Sequence, residues 1–125
     1  MRLAPPDRAL GAFACLCGLL GVAASAAAAH IPGADSLKTA AQFLLFHAPA
    51  ILALVALGAA GLVRAPLARI AAGLLAVGLC LFCGDLSLRA LAGHALFPMA
   101  APSGGFALMG GWLLGIVALL VPARV

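Results

Sequence analysis

The chain has 125 residues, 66% of them apolar and only 8% charged, with a formal net charge of +4. A soluble domain carries about 25% charged residues, and so few charges cannot cover a globule of this size, so a water-soluble fold is excluded. Disorder is excluded for the opposite reason, because too little polarity remains to keep the chain solvated.

What is left is an all-α membrane protein. A spanning helix needs about 20 apolar residues, and the uncharged runs predict four transmembrane helices, near 9–29, 39–63, 70–91 and 104–121. They use most of the chain, so the expectation is one four-helix transmembrane domain over 1–125, a compact antiparallel bundle with no extramembrane part.

The first helix follows a basic leader, Met1 to Arg8, and ends in the small residues Ser25 to Ala29. That is also how a cleavable signal segment reads, but 21 apolar residues exceed the usual signal core of about 7–15, and retention as a membrane helix is expected. Ala14, Gly18, Gly21, Ser25 and Ala28 recur at steps of three and four. Such a stripe packs helices closely in lipid, either within the bundle or against a second copy. Cys15 and Cys17 diverge on a helix, and Cys80 and Cys83 of the third helix fall mid-membrane, where a thiolate is disfavoured. All four read as small packing residues.

On the second helix His47 lies about 12 Å below Thr39, taking 1.5 Å per residue. Pro49 follows it closely and disturbs the carbonyl of Leu45. On the third helix Asp85 lies about 9 Å below Leu91 by the same rise, with Arg89 one turn later on the same face. An intramembrane acid needs a partner or a purpose. His47, Asp85 and Arg89 are therefore the candidate polar node, and the expectation is that His47 bonds or pairs with Asp85. The favoured role is structural glue; proton or ion handling is the alternative. His30 and His94 are weaker candidates, at or just outside the same membrane face. Pro98 to Gly105 reads as the main non-helical stretch, a turn that folds back over the node, in which Gly104 and Gly105 are weak candidates for an anion or headgroup site. The last helix carries Gly111 and Gly115 at the four-residue step, and its Trp112 reads as a packing residue.

With four spans both ends share a side. Arg2, Arg8, Arg64, Arg69 and Arg124 fall there and Lys38 and Arg89 opposite, which predicts cytoplasmic termini under the positive-inside rule. The basic residues are scattered over loops, so nucleic acid is not an expected partner. Heavy use of Ala, Gly, Pro and Arg with a single Lys points to a GC-rich bacterial genome, hence to the bacterial inner membrane.

Three stretches resemble a known family. Gly18 to Val22 running to Ala29-His30 is similar to its glycine-rich first helix, and Phe43 to Ala48 to its second-helix aromatic and His-Ala motif. Phe82 to Leu86, Ala101-Pro102-Ser103-Gly104-Gly105 and Gly111-Trp112 are similar to its third-helix segment, its Pro-x-Gly-Gly loop and its Gly-Trp. On these residues the chain resembles the small membrane proteins of domain of unknown function 423, which include the transmembrane protein 256 group. Departures are Phe43 and Leu44 where the family often has Tyr-Gln, Ser25 and Ala28 in place of first-helix glycines, and Cys83 and Asp85 where many members have Ser. The resemblance implies four membrane helices and supplies no catalytic residues.

No phosphate loop, Ser-His-Asp constellation or paired metal-ligand motif occurs, and no cofactor, metal or enzymatic activity is expected. The expected role is a packing or accessory subunit of a membrane assembly, with the lipid bilayer, other subunits or a second copy as partners. The alternative is a small transporter or proton-handling module using His47 and Asp85. A haem- or quinone-linked electron carrier using His47 is the more distant reading.

Overall fold

The structure, a computed structural model, describes residues 2–123. It contains four helices: α1 (Pro5–His30), α2 (Asp35–Ala59), α3 (Ala65–Leu91) and α4 (Ala100–Leu120). Each is long and apolar enough to cross a membrane, and no strand occurs among the described residues. α1 and α3 begin with prolines in their first two positions, where the missing N–H has no intrahelical partner to lose.

All four helices start four or five residues earlier than the uncharged runs predict, at Pro5, Asp35, Ala65 and Ala100 against 9, 39, 70 and 104. α2 begins at Asp35, one turn before Thr39, because Lys38 is exposed and is accommodated in the first turn. It ends at Ala59, short of Val63. Gly61 turns left-handed at φ 76°, and the N–H groups of Leu62 and Gly61 donate to the carbonyls of Leu57 and Gly58, the Schellman closure that stops a helix. α4 begins at Ala100 and not at 104, with Pro102 in its first turn. The segment 98–105 is thus mostly helix, and the loop before α4 is 92–99.

Hydrophobicity drives this chain into the bilayer, but close packing must hold the helices to one another there. α2 and α3 form the central pair, α1 packs chiefly on α2, and α4 chiefly on α3. The core contains Ala14, Leu44, Ile51, Leu75, Leu79 and Leu108. The first-helix stripe is turned inward, Gly18 facing Ala48 and Gly21 facing Leu44 and Leu45. Ser25, further along, is exposed. The tightest approach is between α3 and α4. A Cβ on Gly104 would lie 2.5 Å from the Phe82 amide nitrogen and 2.9 Å from the Gly78 carbonyl oxygen, so only glycine fits there.

Antiparallel order puts the starts of α1 and α3 and the ends of α2 and α4 at one end of the bundle. Arg2, Arg8, Arg64 and Arg69 lie at that end, while Lys38 and Arg89 lie at the other, beside the 31–34 and 92–99 loops. Arg124, the fifth basic residue of the first group, is outside the described residues.

Candidate functional site

His47 lies twelve residues into α2, about 18 Å from its start. It is buried, with 6% of its surface exposed. Trp112 lies twelve residues into α4, at the same depth, and its indole N–H donates to His47 Nε2 at 3.0 Å. An indole nitrogen is a donor only. Nε2 therefore accepts, which leaves the proton on Nδ1, and Nδ1–H donates to the Phe43 carbonyl one turn back at 2.8 Å. The Phe43 ring stacks on the imidazole at a centroid distance of 5.6 Å, and the Phe82 ring lies 4.4 Å from that of Phe43. Both ring nitrogens are occupied. The histidine can bind a metal, a haem or a substrate proton only by giving up one of these bonds.

Asp85 is fully buried, six residues before the end of α3. One oxygen accepts from Arg89 Nε at 2.7 Å. The other accepts from the Leu96 N–H at 2.9 Å, so the 92–99 loop folds down onto the acid. The Arg89 side chain, 52% exposed, reaches outward from the pair.

The expected bond between His47 and Asp85 is not formed. The reason is depth. Because α2 starts four residues earlier than expected, His47 lies about 18 Å from the loop end whereas Asp85 lies about 9 Å from it. Neighbouring contacts mark the same offset: the Cys83 thiol donates to the Ala40 carbonyl at 3.5 Å, and Phe82 meets Phe43, both toward the loop end from His47. The single node is two separate sites, an aromatic-imidazole clip between α2 and α4 and a capped ion pair at the end of α3.

The weaker candidates lie elsewhere. His30 is the last residue of α1 and is exposed, and His94 is exposed in the 92–99 loop, with Nδ1 bonded to the Ala95 carbonyl at 3.0 Å. Neither joins His47. Gly104 and Gly105 sit inside α4 rather than in a loop, Gly104 packed on α3 and Gly105 facing open space, so the proposed anion cradle is absent. All four cysteines are free, Cys17 and Cys83 buried, Cys15 and Cys80 exposed. Among the described residues no group of three or more His, Cys, Asp or Glu is placed to hold a metal ion.

A third polar contact joins α1 to α3. Asp7 of α1 accepts from Arg69 of α3 through both oxygens, at 2.9 and 3.1 Å, locking the two helices at the terminal end of the bundle. Its partners are 62 residues apart, and the available signal was opposite charge on the first turns of two parallel helices. Trp112, expected to pack, also donates a hydrogen bond to His47. It lies eight residues beyond 104 as His47 lies eight beyond 39, so the two are level from the expected starts as well as from the observed ones.

The fold and its internal polar contacts define a multi-pass helical membrane protein. The DUF423 profile, described as a protein of unknown function, matches residues 10–105. The chain belongs to that family. No curated protein and no solved structure matches it.

Proposed function

We propose that this chain is a non-enzymatic packing or accessory subunit of a membrane assembly, multi-pass in a bacterial inner membrane with both ends cytoplasmic. One observation carries the reading. Among the described residues no buried side-chain nitrogen or oxygen lacks a hydrogen-bond partner, so the interior offers no idle acid, base or ligand. Polar groups in the bundle join its own parts: α2 to α4, α1 to α3, and the 92–99 loop to α3. What the molecule turns outward is apolar. Leu19 and Val22 on α1, and Phe106, Leu113 and Leu119 on α4, are more than half exposed, which suits contact with lipid or with other membrane helices. The separation of Arg2, Arg8, Arg64 and Arg69 from Lys38 and Arg89 supports cytoplasmic termini.

The same geometry weighs against proton handling and against haem binding through His47. Transport would need a polar path, and the groove between α1 and α3, lined by Leu20, Leu44 and Leu79, is almost wholly apolar. A photocrosslinking amino acid placed at Leu19 or Val22 and at Leu113 or Ile116 in intact membranes tests the subunit reading. The expected result is a discrete protein adduct, either a second copy or one reproducible companion, from at least one helix. Lipid adducts alone at all four positions, with a strict monomer in mild detergent, would overturn it.

A further inference from the structure

The two ends of the bundle differ in charge. Among the described residues, Arg2, Arg8, Arg64 and Arg69 face a single acid, Asp7, at the end that holds the starts of α1 and α3. At the loop end Lys38 and Arg89 are matched by Asp35 and Asp85. What each arginine already holds narrows the excess further. Arg69 gives two N–H groups to Asp7, and Arg64 Nε donates to the Pro122 carbonyl at 3.1 Å. Arg2 and Arg8 are exposed and form no ion pair among the described residues. Together with Leu3 they line one cleft, and Arg2 also lines the neighbouring cleft beside Asp7 and Arg69.

Two guanidinium groups on one cleft suit a phosphate-type anion, which each can meet with parallel N–H groups. The backbone adds little. The first two positions of α1 are Pro5 and Pro6, which have no N–H to give, so the side chains and not the helix start must hold the anion. Position selects its carrier. Arg8 is the last charge before the uncharged run from Ala9 to Ala34, and therefore stands at the hydrocarbon boundary. Ala12, Cys15 and Leu19 follow it at four, seven and eleven residues, on the same helical face, and all three are exposed. An anion at Arg8 thus lies at headgroup depth with hydrocarbon directly beneath it. A phospholipid phosphate is already there, whereas a soluble polyanion or an acidic peptide would have to leave water to reach it. The charge at stake is that of an anionic lipid, because a zwitterionic headgroup carries its own cation to compete for the phosphate.

We propose that Arg2 and Arg8 form a site for the phosphate of an anionic phospholipid, in the leaflet at the terminal end of the bundle. The site belongs to the single chain and needs no protein partner, so it stands apart from the subunit role.

Purified full-length protein in a non-ionic detergent is titrated with phosphatidylglycerol and with phosphatidylcholine, and bound lipid is counted by native mass spectrometry. Phosphatidylglycerol is expected to bind at concentrations where phosphatidylcholine does not. Arg2→Gln and Arg8→Gln should each weaken its binding about five-fold, the size expected of one basic residue beside an anionic surface. Lys38→Gln removes the same charge from the loop end and should leave binding unchanged. Helical circular dichroism checks that the variants fold, and the unaltered protein gives an independent reading, since phosphatidylglycerol binding should fall as salt is raised. Equal binding of the two lipids, salt-independent binding, or equal losses in Lys38→Gln and Arg8→Gln would overturn the proposal. Displacement of phosphatidylglycerol by millimolar inorganic phosphate would also overturn it, by making the pair a site for a soluble anion. Because only one protein and defined lipids are present, a negative result leaves the crosslinking test of a membrane partner untouched.

Discussion

The seam between α3 and α4 and the seam between α1 and α3 lie in one small bundle, yet the first is shut and the second stands open over most of its length. Where α3 meets α4, small residues face the neighbouring backbone: Gly104 lies on Phe82 and Gly78, and Gly111 on Leu75 and Ala71. Where α1 faces α3, the opposed residues include Phe13, Leu16 and Leu20 against Leu79 and Leu91, and a gap remains. Both seams are apolar, so hydrophobicity does not distinguish them. In lipid an apolar side chain gains nothing by leaving hydrocarbon for another helix, and association follows close backbone approach and polar contacts. The α3–α4 seam has the first. The α1–α3 seam has only the second, at Asp7 and Arg69, and above that pair the bilayer itself can fill the space.

The largest effect is expected from breaking the closed seam. Gly104→Ala puts a methyl group within 2.5 Å of a backbone nitrogen that no side-chain movement can clear. Overpacking of this kind costs about 1–3 kcal/mol, and Gly104→Val should abolish the folded bundle in detergent. The neighbouring Gly105 has nothing within 4 Å of a Cβ, so Gly105→Ala should be neutral or raise stability by up to about 1 kcal/mol through helix propensity. Thermal unfolding followed by circular dichroism separates the two. Equal effects at 104 and 105 would mean that the glycine contact is not what closes this seam.

Next in size is the pin of the open seam. Asp7→Asn or Arg69→Gln alone leaves one partner of a bidentate pair without its counter-charge, and the midpoint of thermal unfolding should fall by several degrees. The double variant Asp7→Leu with Arg69→Met should recover part of that loss, because replacing both ions by apolar residues avoids a stranded charge.

The number of spans was plain from the uncharged runs, and so was the Asp85–Arg89 pair, whose members are one turn apart on one helix. Boundaries were less legible, since a charged residue marks where a chain may leave hydrocarbon and not where its helix stops. Lys38 sits within α2, and Gly61 ends that helix inside an uncharged stretch. The four-residue error at α2 propagated to the site. With the expected start His47 falls within about 3 Å of the depth of Asp85, whereas the observed start separates them by about 9 Å; the level match of His47 with Trp112 holds from either set of starts. Contacts such as Asp7–Arg69 depend on which helices are neighbours, and periodicity within each helix carries no such information.

A smaller effect is expected at the clip between α2 and α4, a contact that joins the two sides of the comparison. Trp112→Phe keeps the ring but removes the N–H that serves His47 Nε2. Interhelical hydrogen bonds in membranes contribute about 0.6 kcal/mol on average and at most about 1.7, so a loss of about 1 kcal/mol is expected. His47→Leu should cost less than Trp112→Phe if stranding the buried imidazole nitrogen is the main penalty. Trp112 is the chain's one tryptophan, so its fluorescence in His47→Leu reports directly on loss of the acceptor. An unchanged emission spectrum would show that the bond does not persist.

The least effect is expected at Met99, the residue before α4, which adopts φ 69° and is the one non-glycine left-handed residue among those described. Its carbonyl accepts from the Ser103 N–H in the first turn of α4, so its conformation sets where that helix starts. A left-handed L-residue costs roughly 1–2 kcal/mol, and glycine in its place gives back about 0.5–1 kcal/mol in chain entropy. Met99→Gly should therefore change stability by between about 0 and 1.5 kcal/mol in the stabilising direction, whereas Met99→Val, branched at Cβ, should destabilise it. If α4 is seated by its glycine contacts with α3, neither change moves its register, and a cysteine pair designed across Gly110 and Leu74, which lie close together at that seam, should crosslink equally well in both backgrounds. Crosslinking lost in Met99→Gly alone would show that the loop, and not the packing, positions the last helix.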